Sequence, residues 1–135
     1  DIDFKIIYDK MYKNKLWRKK MDNEELKKEL DNLSKKSTVE ELQKYIKDMI
    51  EVRKFRTSLL ERMCLLTEEI GELAKEVRKT DNNLLIDENK EYSSSLENEI
   101  TDVFICLMGM CEMLDIDIVQ ALKNKEEINF KRKWK

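Results

Sequence analysis

The chain contains no proline and no histidine, and only two of its 135 residues are glycine. With so few breakers, little in the sequence forces a helix to end. The lack of histidine excludes imidazole acid–base catalysis and removes the commonest metal ligand. Three cysteines, Cys64, Cys106 and Cys111, fall in apolar runs without a Cys-x-x-Cys pair, which argues against a zinc or haem site. Such cysteines behave as small hydrophobes, and a reducing, cytoplasmic setting suits them best. No secretory leader is visible. The longest apolar run, "VFICLMGMC" at 103–111, is too short for a bilayer, so no membrane partner is expected.

What remains is 41% hydrophobic and 41% charged, rich in Leu, Lys and Glu. Such a chain reads as all-α. The net charge of −2 gives no footprint for nucleic acid. Basic residues do collect at one end: residues 123–135 hold six Lys or Arg against two Glu. Either an anion site or a plain basic helix end accounts for them.

Residues 1–36 read as an N-terminal helical extension of unknown role, with scattered apolar positions at Phe4, Ile7, Tyr8, Met11 and Trp17. The main domain spans 37–135 and is expected to hold four helices. The first opens on a capping box, Ser37 with Glu40, and repeats Leu42, Tyr45, Ile46, Met49 and Ile50 at helical spacing. The second covers about 57–79, with an apolar set of Leu59, Met63, Leu66, Ile70, Leu73 and Val77. Residues 80–95 are loop-like, with a short turn at Leu84–Ile86. The third runs from about Leu96 to Leu114. Asp117 caps the fourth, with Gln120 placed for a second capping box.

Within "LLTEEIGELAKEVRK" (65–79) four carboxylates, Glu68, Glu69, Glu72 and Glu76, stand close together on one helix. On a helical wheel they fall with Glu61 on the side away from the apolar set. Taken alone, they suit a solvated face with Lys75 and Lys79 as neighbours. The third helix shifts the balance. Glu99 and Asp102 share one face near its start, and Val103, Phe104 and Ile105 follow at once. Asp102 so placed needs a pair, a metal or a proton, and its own helix has no basic residue. If the two acidic stretches pack together, carboxylates converge without a local cation. A hard divalent ion, magnesium or manganese, suits such oxygens, and helical bundles build metal sites from facing pairs of this kind. A polyphosphate is the natural ligand of that ion. Lys125, Asn129 and Arg132, spaced four and three apart, would share a face as a phosphate clamp.

"EEIGE" at 68–72 followed by "EITD" at 99–102, and then "KEEINFKRKW" at 125–134, resembles the EExxE…ExxD pattern and closing basic segment of the MazG-like all-α nucleotide pyrophosphohydrolases. "LQKYIKDMIEVRKF" is similar to that family's opening helix. The resemblance covers about 37–135. It implies a four-helix-bundle-like fold completed by dimerisation, and magnesium-dependent cleavage of a (d)NTP to the monophosphate and pyrophosphate, with manganese as a substitute and nucleotide-pool cleaning as the role. By position it makes Glu69, Glu72, Glu99 and Asp102 metal ligands, with Glu68 supporting them or positioning water. Lys125, Asn129 and Arg132 would hold phosphates, and the base pocket stays unassigned, with Tyr45 and Phe55 as candidates. A homodimer or homotetramer is implied, which suits the apolar "VFICLMGMCEML" at 103–114. Two other functions stay open. One is a dUTPase or phosphoribosyl-ATP pyrophosphohydrolase of the same superfamily. The other is a non-enzymatic helical interaction module.

Overall fold

Each helix starts at a side chain that accepts the backbone N–H groups a first turn leaves over. In the computed structural model, which describes residues 21–55, 57–80 and 95–133, these starts give five helices and no strand among the described residues. They are α1 (Asn23–Asn32), α2 (Val39–Val52), α3 (Leu59–Arg78), α4 (Leu96–Met113) and α5 (Ile118–Phe130). Four helices after residue 36 are as the sequence predicts. The expectations for residues 1–20 and the Leu84–Ile86 turn lie outside the described residues.

Asp22 caps α1, accepting from the Glu24 and Glu25 amides at 2.9 Å each, and Glu25 answers with a bond from the Asp22 amide. The cap of α2 is Thr38, with Glu41 as its reciprocal partner, one residue later than the predicted Ser37 and Glu40. Ser37 is otherwise engaged: its hydroxyl accepts from the Ser34 amide at 3.0 Å. Ser58 and Glu61 form the box that opens α3, and the Ser58 bonds hold the Glu61 carboxyl below its ordinary range. Ser95 caps α4 and Asp117 caps α5. The second half of the expected box at α5 is not made, because the Gln120 side-chain amide donates to Asn124 at 2.8 Å instead.

Helices α2 and α4 end alike. Lys54 and Asp115 adopt φ of 57° and 53°, and the next amides reach back, Phe55 to the Ile50 carbonyl at 3.0 Å and Ile116 to that of Cys111 at 2.8 Å. This is the left-handed closure that glycine usually supplies.

The chain divides into two compact units after Phe55. In the first, α1 packs on α2, burying Leu26, Ile46 and Met49. Lys44 of α2 pairs with Asp48 on its own helix and with Glu29 of α1, and these bonds, Asp48's first, raise the lysine pKa. The second unit is built on the pairing of α3 with α4.

The packed face of α3 differs from the predicted one. Arg62, Leu66 and Glu76 are buried, with Glu69 and Leu73 half-buried, so the covered stripe of α3 is 62–66–69–73–76. Three members of the expected apolar face are about half exposed: Met63 at 47%, Ile70 at 49% and Val77 at 49%. The covered stripe is rotated by one residue, about 100°, from those three, and Leu66 and Leu73 lie between the two sides. Glu69 therefore faces Glu99 and Asp102 of α4, and Glu76 is buried, where the wheel puts both on the far side. On α4 the buried residues are Glu99, Cys106, Met108, Gly109 and Cys111. No helix among the described residues is long and apolar enough to cross a membrane.

Candidate metal centre

The α3–α4 contact brings together three of the five carboxylates to which the resemblance gives site roles. Glu69, Glu99 and Asp102 each present an oxygen, and these atoms all lie within 4.8 Å of one another. Glu69 lies on the covered stripe of α3. Glu99 and Asp102 are three apart on α4, hence neighbours on its surface. Glu99 is in the first turn, where a negative charge also suits the helix dipole.

Burial within the trio is graded. Glu99 is 6% exposed, Glu69 is half-buried and Asp102 is exposed. The sequence points to Asp102 as the buried acid, followed as it is by apolar residues. In the structure Glu99 takes that place, because the contact stripe of α4 runs through Glu99 and Cys106. The electrostatic cost falls on Glu69. Burial raises its pKa, and the charges of Asp102, Glu99, Glu68 and Glu72 raise it further.

Glu72 does not join the trio. It is exposed, and Lys75 Nζ donates to its Oε2 at 2.7 Å. Glu68 is exposed too and acts on Glu69 through its charge. Every charge that acts on Glu69 is an acid's, and the cations of α3 stand outside the trio. Lys75 stands beside Glu72, and Arg62 is buried at 5% on the covered stripe. Asp102's own helix offers no basic residue, and the charge of Arg62 on the facing helix acts on Cys106. The place of Arg62 four residues before Leu66 and seven before Glu69 is the sequence signal for it.

Cys106 lies one turn beyond Asp102. Burial and the Glu69 charge push its thiol pKa up, Arg62 opposes this, and Asp102 adds a smaller push. It is a packed thiol in a negative field, not an activated one. Glu76, two turns beyond Glu69, is buried and ion-paired with Lys79.

Farther along the chain, Lys125 is exposed, and Arg132 lies beyond the end of α5, past the cap Lys131. The Arg132 amide donates to the Asn129 carbonyl at 2.9 Å, so the backbone continues the turn. Asn129 is half-buried and gives its side-chain N–H to Glu126 at 2.6 Å. Tyr45 is half-buried and Phe55 is 50% exposed.

The chemistry of the trio fits a small divalent cation. Its donors are carboxylate oxygens alone, the set that hard ions select. Around an ion held at about 2.1 Å, neighbouring oxygens stand about 3.0 Å apart and opposite ones about 4.2 Å, so a trio of oxygens within 4.8 Å would draw inward to hold one ion. Burial is the first cause of the raised Glu69 pKa, and the repulsion that adds to it is what a cation would relieve.

No protein-family model matches the chain, and no curated protein does. Among solved structures, the chain is similar to the crystal structure of YPJD from Bacillus subtilis, described as a putative pyrophosphatase. The identity is 30% and the TM-score 0.61, over 74% of this chain and 100% of that one. With the whole of that protein matched, the chain belongs to the MazG-like family that includes YPJD.

Proposed function

We propose that the protein is a magnesium-dependent nucleoside triphosphate pyrophosphohydrolase, cleaving a (d)NTP to the monophosphate and pyrophosphate. The observation that carries this reading is the convergence of Glu69, Glu99 and Asp102 within 4.8 Å, in a chain whose family includes a protein described as a putative pyrophosphatase. Glu69, Glu99 and Asp102 would hold the ion, with Glu72 as a further ligand, and manganese would substitute for magnesium. When bound, the ion would supply charge neutralisation at phosphate oxygens and an orienting centre for water.

The chain's own groups do the rest. Glu68 is exposed beside Glu69 and stands outside the trio, so it is placed to orient a water or take its proton. Lys125 and Arg132 would neutralise phosphate charge, and Asn129 would serve them after leaving Glu126. The oligomer belongs to this proposal. Met63, Ile70 and Val77 on α3, Ile100 and Leu107 on α4, and Val119, Leu122 and Ile128 on α5 are 43% to 61% exposed. So much apolar surface on one chain favours a homodimer or homotetramer.

The test is a panel of common and modified triphosphates, assayed for pyrophosphate release with and without magnesium. Release that needs magnesium supports the reading, and a preference for dUTP or phosphoribosyl-ATP would move it to those relatives. No release from any member, with no thermal response to magnesium, would favour the interaction module.

A further inference from the structure

With the carboxylate trio read as a divalent-cation site, the pairing of Glu72 with Lys75 takes on a role that rests on that reading. We propose that Lys75 occupies Glu72 in the metal-free protein, and that Glu72 enters the site by exchanging the lysine for the ion. Glu72 is three residues after Glu69 on α3, so the two side chains are surface neighbours. Its charge already reaches Glu69, whose pKa it helps raise. Yet its Oε2 accepts from Lys75 Nζ at 2.7 Å, and its carboxylate is not part of the trio.

The two states differ in what balances Glu72. Without the ion, four acids of α3 and α4 repel, and drawing one toward an ammonium lowers that repulsion. With the ion, a charge of two at bonding distance outcompetes a charge of one at hydrogen-bond distance. The pair is shallow enough to open: Glu72 is 48% exposed and Lys75 is 33% exposed, and pairs so placed hold weakly. Lys75 is thus an internal competitor. It steadies the empty site and raises the ion concentration needed to complete it.

The test is manganese binding to the full chain, read as loss of the free-ion electron paramagnetic resonance signal, in a double-mutant cycle. Lys75→Ala should tighten binding about three- to fivefold in the unsubstituted background, the range a half-exposed pair supplies. In a Glu72→Gln background the same substitution should change little, because the contested carboxylate is gone. Circular dichroism confirms that each variant is folded. Equal tightening in both backgrounds overturns the exchange, since simple repulsion between Lys75 and the ion does not need Glu72. No tightening in either background overturns it as well. The metal reading fails separately: unsubstituted protein that binds no manganese, or that binds as well after Asp102→Asn, removes the site itself.

Discussion

Glu69 and Asp102 face each other across the α3–α4 contact, their carboxylate oxygens within 4.8 Å, with Glu99 as the third of the group. Packing holds like charges together there, so removing one should help the empty protein and cripple the loaded one. Asp102→Asn should raise the melting temperature in chelator by about 1–3 °C and cut pyrophosphate release about a hundredfold or more. Magnesium should raise the melting temperature of the unsubstituted protein, because it binds the native state only, and should do so far less in the variant. Near-normal turnover by Asp102→Asn would show that the site is assigned wrongly.

Glu69 makes the same point through pH. Its pKa is raised in the folded protein, first by burial and then by its acidic neighbours. The native state therefore binds its proton more tightly than the unfolded chain does. The stability this gives is fully present below the ordinary carboxylate range and is lost as pH rises through the raised folded value. In chelator, the stability of the unsubstituted protein relative to Glu69→Gln should fall as pH goes from about 4 to 7. Magnesium should flatten that trend at the upper end. A difference that stays level with pH, by thermal melts in matched buffers, would contradict the burial seen for Glu69.

The helices themselves are legible in the sequence because local rules set them. Capping residues and apolar spacing give four helices after residue 36, with ends within a few residues of those observed. The face of α3 is not legible, since a wheel shows which residues are apolar and not which side a neighbour covers. Leu66 and Leu73 serve either side, and α4 settles on the one carrying Arg62 and Glu69. The acidic motifs single out Glu68, Glu69, Glu72, Glu99 and Asp102, of which the fold brings Glu69, Glu99 and Asp102 together. They do not show that Glu72 turns to Lys75, because a side chain with two partners in reach follows local charge and not spacing.

The open apolar stripe of α3 provides a test of assembly. Ile70 is 49% exposed in the single chain, where a polar substitution should cost no more than about 0.5 kcal/mol. At the centre of a subunit interface the same change removes about 2 kcal/mol or more of association energy, roughly thirtyfold in the dissociation constant. Ile70→Lys should therefore lower the mass found by light scattering at micromolar concentration while leaving the circular dichroism spectrum unchanged. A monomeric parent protein at that concentration would refute the oligomer.

Lys54 offers a prediction independent of function. Its φ of 57° is one that a side chain resists, and the Phe55 amide bond to Ile50 depends on it. Lys54→Gly should stabilise the protein by about 0.5–1 kcal/mol, the relief of left-handed strain less the added freedom of the unfolded chain. Chemical denaturation should show a higher midpoint with an unchanged slope.

The basic segment should act on the triphosphate and not on the metal. Lys125 is exposed on α5, and Arg132 lies just beyond the helix end. If Lys125 holds a phosphate, Lys125→Ala should reduce kcat/KM about tenfold or more, about 1.4 kcal/mol of transition-state binding. Manganese binding without nucleotide should change little, since a cation gains nothing from a nearby lysine. Added salt should weaken substrate binding more in the unsubstituted protein than in the variant, because part of the attraction is a screened charge interaction. A solvated helix end predicts no change in any of the three: level kcat/KM, level metal affinity and a level salt slope. The metal measurement therefore serves as the control, and kcat/KM with its salt dependence decides. If both stay level while Asp102→Asn is inactive, the carboxylate site stands and the phosphate clamp must be sought elsewhere on the chain.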